Sequence, residues 1–316
     1  MKLSRAICSK LLRFIDPING PLLSISSVPY PSILSRRLWH STAQLHPKVF
    51  SHHAKLVVMG YCGGGWSADK EESQIKAVVE AVERWAFFSY STDLPEIAGI
   101  NIDASSNGFA AIPNDMGPKV AIRNAYCEAL ERLVLDQIWD MEDIPLEQVE
   151  LQSKILREML NPLCAESSCF SARIATEDPG GDPPSVVNFC LCLLKTKLGG
   201  AISGAACSNT PELAIERAAL EAYVHAVSFE RMLKRGLEVF ESVIEKKLFH
   251  FARMQNGHEI IKGRIEIAAQ ANLLKPPQVL FSKNLPGPWE PEISVHRVLL
   301  CNSKPMLDGG LERFFI

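Results

Sequence analysis

Glu80-Ala81-Val82-Glu83-Arg84 and Glu128-Ala129-Leu130-Glu131-Arg132 repeat one pattern in a single chain: two carboxylates three residues apart, with an arginine beside the second. Around the first segment, Ile75, Val78, Val82 and Trp85 recur at helical spacing, and Asp69 followed by Glu72 fits an N-cap with a capping box. At about 100° per residue, Glu80, Glu83 and Arg84 fall within about 100° of arc, opposite an apolar face centred near Val82. Both carboxylates therefore look the same way. Two glutamates at this spacing repel each other when solvated, so the pattern does nothing for an isolated helix. A hard divalent cation would reward it, because Mg2+ prefers carboxylate oxygen and keeps positions open for water and phosphate. For either segment alone, a solvated helix face with incidental Glu-Arg neighbours is the alternative.

Three units of loop and helix follow from the pattern around these segments. Leu56-Val57-Val58-Met59 reads as a strand running into the loop Gly60-Tyr61-Cys62-Gly63-Gly64-Gly65, which feeds the first helix. The second unit has the loop Ala104-Ser105-Ser106-Asn107-Gly108 and, after Pro118, a helix carrying Val120, Leu130, Val134 and Ile138. In the third, residues 199–206 are small, and Thr210-Pro211 opens a helix with proline at its first position. Backbone N–H groups of such loops can approach a phosphate. Residues 17–55 read as short strands with loops, 230–271 as a charged helical stretch, and 279–281 and 293–300 as strands between proline-rich loops. Cys190-Leu191-Cys192 belongs to an apolar run that reads as a buried strand. Residues 1–15, basic and amphipathic up to Asp16-Pro17, read as a first helix.

Composition narrows the function classes. With 316 residues, 47% hydrophobic and 22% charged, the chain is an ordinary soluble globular sequence, long enough to bury roughly 75% of its unfolded surface. Its 33 Lys+Arg against 36 Asp+Glu, a formal charge of -3, give no electrostatic footprint for nucleic acid. No apolar run approaches the roughly 20 residues that cross a bilayer, so no membrane partner is expected. Nine cysteines without C-x-x-C spacing fit a reducing compartment, hence a cytoplasmic location.

The two segments E-A-V-E-R and E-A-L-E-R, the intervening Ser106-Asn107-Gly108, and the third helix with Ala214-Ile215-Glu216-Arg217-Ala218-Ala219-Leu220-Glu221 resemble the YcaO superfamily. These are ATP-dependent cyclodehydratases and related amide-activating enzymes of peptide natural-product biosynthesis. The opening Asp16-Pro17-Ile18-Asn19-Gly20-Pro21-Leu22 is similar to the entry of many such domains. The resemblance covers nearly the whole chain. It implies one mixed α/β (α+β) domain over 1–316, with antiparallel sheets packed with helices around an ATP cleft, an N-terminal helix at 1–15, and C-terminal strands and tail at 272–316. It further implies Mg2+ held by Glu80, Glu83, Glu128, Glu131 and Glu221. ATP would be contacted by Arg84, Arg132, Ser106, Asn107 and Arg297, with no catalytic nucleophile assigned. The implied partners are a ribosomal precursor peptide and a leader-recognising protein, and a homodimer stays open. The implied activity is ATP-dependent activation of a backbone amide, leading to an azoline, thioamide or amidine; a non-catalytic scaffold is the alternative.

The chain departs from the family pattern in several places. Gly63-Gly64-Gly65 stands where the family carries a G-K-G-like lysine, leaving Lys70 as a substitute. An acidic position early in the second helix falls near Lys119-Val120, and Val224 and His225 stand where a glutamine usually follows the third helix's glutamate. The tail, which holds Arg297 and Arg313, lacks the P-x-P-x-P ending of many azoline-forming members.

Overall fold

The computed structural model describes residues 10–16, 18, 20–30, 38–50, 62–90, 107–140, 144–176, 185–236, 240, 243–268, 277–304 and 314. In chain order the elements are β1 (Leu22–Tyr30), β2 (Leu38–Leu45), α1 (Pro47–Phe50), β3 (Cys62–Ser67), α2 (Lys70–Tyr90) and β4 (Gly108–Pro113). Next come α3 (Pro118–Trp139), β5 (Glu147–Val149), α4 (Lys154–Leu160), β6 (Glu166–Thr176), β7 (Ser185–Lys195) and β8 (Ala201–Ser208). The chain then continues through α5 (Pro211–Arg235), α6 (Val243–Arg253), α7 (Gly257–Ala268), β9 (Val279–Leu285) and β10 (Ile293–Leu300). The mixed α/β class expected from the sequence is therefore found, as are helices starting near 70, 119 and 211.

Two compact units divide the chain. The first comprises Met1–Ala104, Phe109–Ala125 and Phe281–Val298, and the second Ser105–Gly108, Tyr126–Leu280 and Leu299–Ile316. In the first unit β1, β2 and β3 form an antiparallel sheet in that order, and β4, β10 and β9 form a second sheet. Helix α2 lays Ile75, Ala77, Val78, Ala81 and Val82 into a core shared with Leu22, Ala43, Leu45, Phe109, Trp289 and Val295. In the second unit β5, β6, β7 and β8 form an antiparallel sheet in that order, and α5 packs across β7 and β8. Cys190 and Cys192 are buried on β7, as their apolar run suggested.

Local chemistry explains the helix boundaries. Asp69 caps α2, its Oδ1 accepting from the Glu72 N–H at 3.1 Å. Glu72 does not complete a capping box: its carboxylate accepts from the Ser67 hydroxyl and pairs with Lys76. Thr210 caps α5 by accepting from the Leu213 N–H, Pro211 fills the first turn where no N–H is needed, and Gly236 ends the helix in the left-handed conformation at φ 60°. The charged stretch 230–271 is accordingly not one helix but the end of α5 followed by α6 and α7. The break between the last two falls at Asn256, also left-handed at φ 60°.

The structure corrects the reading of the small-residue segments as loops. Cys62–Ser67 and Ala201–Ser208 are strands, and Gly108 opens a third, β4. Their small residues serve close packing rather than turning. A Cβ on Gly63 would lie 2.2 Å from the Ala77 carbonyl oxygen, and one on Gly204 would lie 2.2 Å from the Ala222 nitrogen. Each helix thus rides directly on its strand's backbone, a contact that only glycine permits. The expected strand at 56–59, most of the expected first helix and the loop residues 104–106 lie outside the described residues.

Candidate functional site

Each unit carries glutamates that reach the outer edge of a sheet. Among the described strands of the first unit, β3 ends one sheet and β4 ends the other. Glu80 Oε2 accepts from the Gly64 N–H on β3 at 2.9 Å, and Glu83 Oε2 accepts from the Ala111 N–H on β4 at 3.1 Å. Glu80 Oε1 pairs with the Arg84 guanidinium at 2.6 Å, one turn along α2. Burial works against the charge on Arg84, but the Glu80 carboxylate and its hydrogen bond, followed by Glu83 and Cys62, outweigh it and raise the Arg84 pKa. His40 on β2 stacks on Trp66 of β3 with ring centroids 4.3 Å apart. Burial lowers the His40 pKa against the pull of Glu80.

In the second unit β8 ends the sheet, and two carboxylates reach its N–H groups. Glu221 Oε2 accepts from the Ala205 N–H at 2.7 Å, and Glu131 accepts from the Cys207 N–H. Glu128 pairs with Arg132, and Arg132 also donates to the Asn107 carbonyl oxygen. Glu131 is only partly buried by exposure, yet its carboxyl lies deep enough that burial, then Glu221, then Glu128, push its pKa well above the ordinary carboxylate range. Arg132 and the Cys207 N–H work in the opposite direction without cancelling the shift.

One backbone N–H in each of two expected phosphate loops, that of Gly64 and that of Ala205, is therefore engaged by a glutamate. An unpaired edge N–H is a template for another strand, and a carboxylate placed on it both satisfies the donor and blocks such pairing. The sequence could not show this, because donor and acceptor stand 16 residues apart in both Gly64–Glu80 and Ala205–Glu221.

Those two contacts belong to a repeat that the E-A-x-E-R resemblance concealed. The unit β3–α2 matches β8–α5 at one constant spacing along the chain. Gly63 matches Gly204, Gly64 matches Ala205, the caps Asp69 and Thr210 match, and Glu80 matches Glu221. At the same spacing Arg84 falls on His225. His225 makes its own contact, with Nδ1 2.7 Å from the Ser203 carbonyl oxygen.

The remaining sequence candidates sit as follows. Asn107 is fully buried. Arg297, in the first unit, is buried with its guanidinium over the Phe109 and Phe281 rings and donating to the Tyr90 carbonyl oxygen at 3.1 Å, so it is engaged in the core. Ser106 and Arg313 lie outside the described residues. Among the described residues no three His, Cys, Asp or Glu side chains form a ready-made metal cage. Among them, too, no helix is long and apolar enough to cross a membrane.

No family model and no curated protein matches the chain in sequence. Solved structures do match in three dimensions. The YcaO structure from Methanopyrus kandleri, bound with AMPPCP and Mg2+, aligns with 100% of this chain and 95% of its own at a TM-score of 0.55 and 12% identity. A heterocyclase in complex with substrate and cofactor aligns with 96% of this chain and 53% of its own at 0.54 and 11% identity. The E. coli microcin synthetase McbBCD complex with pro-MccB17 bound aligns with 87% of this chain and 86% of that chain at 0.51 and 13% identity. With its mixed class, its helices and its antiparallel sheets matching these neighbours, this protein has the YcaO-like fold.

Proposed function

We propose that this protein binds ATP with Mg2+ and uses it to activate a backbone amide oxygen of a ribosomally made precursor peptide, leading to an azoline, thioamide or amidine. The observation that carries this reading is the carboxylate set at β8, where Glu221 and Glu131 accept from the Ala205 and Cys207 N–H groups and where burial, then Glu221, then Glu128, push the Glu131 pKa up. Such crowding destabilises a protein unless a cation relieves it, and an all-oxygen donor set suits a hard divalent ion. The likeness to a YcaO structure bound with AMPPCP and Mg2+ supports the choice of nucleotide and metal.

The proposed metal ligands are Glu80 and Glu83 in the first unit and Glu128, Glu131 and Glu221 in the second. Arg84, Arg132, Ser106, Asn107 and Arg297 are the proposed nucleotide contacts. Bound ATP would supply the phosphoryl group that turns an amide oxygen into a leaving group. The chain's own residues contribute positioning. The N–H groups of Gly64, Ala111 and Ala205 each fix one oxygen of a glutamate, so the carboxylates lose little freedom on binding a cation. Arg84 and Arg132 each carry a planar fork of five donors, a geometry that suits phosphate oxygens. No protein nucleophile is needed, and the cysteines have no part.

The proposed partners are the precursor peptide and a leader-recognising protein; the likeness to a chain of the microcin synthetase McbBCD complex with pro-MccB17 bound supports a reading with partner chains. One observation favours a second reading, a non-catalytic scaffold: Gly64 stands where the family carries a lysine, and the glutamates already have an architectural task at the sheet edges. Phosphate release from ATP, measured with Mg2+, precursor peptide and partner together, separates the two. Release coupled to a mass change of the peptide supports the enzyme, whereas its absence from the complete mixture supports the scaffold.

A further inference from the structure

The repeat places an imidazole where the first unit has a guanidinium. Arg84 and His225 occupy matching positions, each one helical turn after a glutamate whose Oε2 is held by a strand N–H, Glu80 in one unit and Glu221 in the other. The exchange alters the chemistry on offer. Arginine only donates and holds its carboxylate as an ion pair, whereas a neutral histidine has one nitrogen able to accept a cation.

The hydrogen bond of His225 decides which nitrogen that is. Nδ1 faces the Ser203 carbonyl oxygen at 2.7 Å, and a carbonyl only accepts, so Nδ1 carries the hydrogen. The lone pair of the neutral ring is then on Nε2. A ring N–H donated to a backbone carbonyl is the usual outer support of a metal-bound histidine, because it fixes tautomer and orientation and raises the basicity of the other nitrogen. Glu221 and His225 lie four residues apart on α5, on one helix face, and both are only partly buried.

We infer that His225 Nε2 and Glu221 form a nitrogen-oxygen pair for a divalent transition ion such as Mn2+, making the second unit's metal position more selective for Mn2+ over Mg2+ than an all-carboxylate position. This rests on the metal-nucleotide reading above. The other donors of this position are oxygens, from Glu128 and Glu131 of the proposed set, from water and from phosphate, as in metal sites completed by a nucleotide. Nitrogen in the ligand set matters because imidazole suits first-row transition ions, while Mg2+ takes oxygen.

The test is pulsed electron paramagnetic resonance of Mn2+ added to the whole protein, alone and with a non-hydrolysable ATP analogue. The unmodified protein should show nitrogen modulation of the Mn2+ echo, and its frequency should change when the protein is made with 15N-histidine, a result that needs no variant to fold. His225→Gln should abolish the modulation and weaken Mn2+ binding at least about tenfold while leaving Mg2+ binding within about twofold, and His40→Gln should preserve the signal. Bound Mn2+ without histidine nitrogen, or a signal that survives His225→Gln, overturns the inference and leaves the nucleotide reading standing. Failure to retain Mn2+, Mg2+ or nucleotide at all overturns both.

Discussion

Glu131 and His296 give this protein opposite responses to pH. Glu131 has a folded pKa above its ordinary value of 4.5, so its contribution is fully present below that value and is lost as pH rises through the folded pKa. In metal-free protein the melting temperature should fall as pH rises through this window. Glu131→Gln should remove that slope and leave stability at neutral pH unchanged or raised, each kcal/mol gained appearing as about 2–4 °C. The pKa of His296, hydrogen-bonded to Ser282, is pushed down to about 4 by burial, from its ordinary value of 6.5. Its contribution is present above 6.5 and lost as pH falls toward 4, and His296→Gln should flatten that acid limb. Thermal melts over a pH series check both; a basic-side slope that persists in Glu131→Gln would contradict the carboxylate crowding. Glu80 differs from Glu131 because it is paired with Arg84 and is about one-third exposed. Glu80→Gln should therefore destabilise the metal-free protein, by about 1 kcal/mol after solvent screening.

At the scale of elements, the close approach of strand and helix is the feature most sensitive to a single atom. Gly204→Ala would put a methyl 2.2 Å from the Ala222 backbone nitrogen and 2.4 Å from the Ala218 carbonyl oxygen, with no flexible end to give way. A loss of about 3 kcal/mol or more is expected. Gly64→Ala, whose methyl would meet His40 Nε2 at 3.6 Å and Glu80 Oε2 at 3.7 Å, should change stability by less than about 1 kcal/mol. Chemical denaturation of the two variants checks this, and equal losses would show that the strand–helix contact is softer than the geometry implies. The same elements show what a sequence can convey. The caps Asp69 and Thr210, the apolar faces of α2 and α3, the β7 run and the bounds of β10 were all legible, because they depend on neighbours within a few residues. The glycine segments were misread, because a glycine that opens a turn and a glycine that admits a helix look alike until the helix is in place. The partners of Glu80, Glu83, Glu131 and Glu221 were hidden for the same reason. Helical spacing gave the direction of each carboxylate but not the edge N–H it meets.

For the molecule as a whole, the reading makes turnover depend on a partner. In this reading leader recognition belongs to another protein. Phosphate release with peptide alone should be weak, and a leader-recognising protein should raise it by holding the reactive amide near the nucleotide, a gain in effective concentration that requires no new catalytic group. Full activity from this chain and peptide alone would remove the partner from the account. The central claim is that glutamates of this chain hold Mg2+ for a bound nucleotide. Isothermal titration of Mg-ATP into the unmodified protein, Glu83→Gln and Glu131→Gln tests it most directly. The account predicts saturable binding by the unmodified protein and at least about tenfold weaker binding, about 1.4 kcal/mol, by each folded variant. Equal affinity in all three proteins, or no binding by the unmodified one, would contradict it.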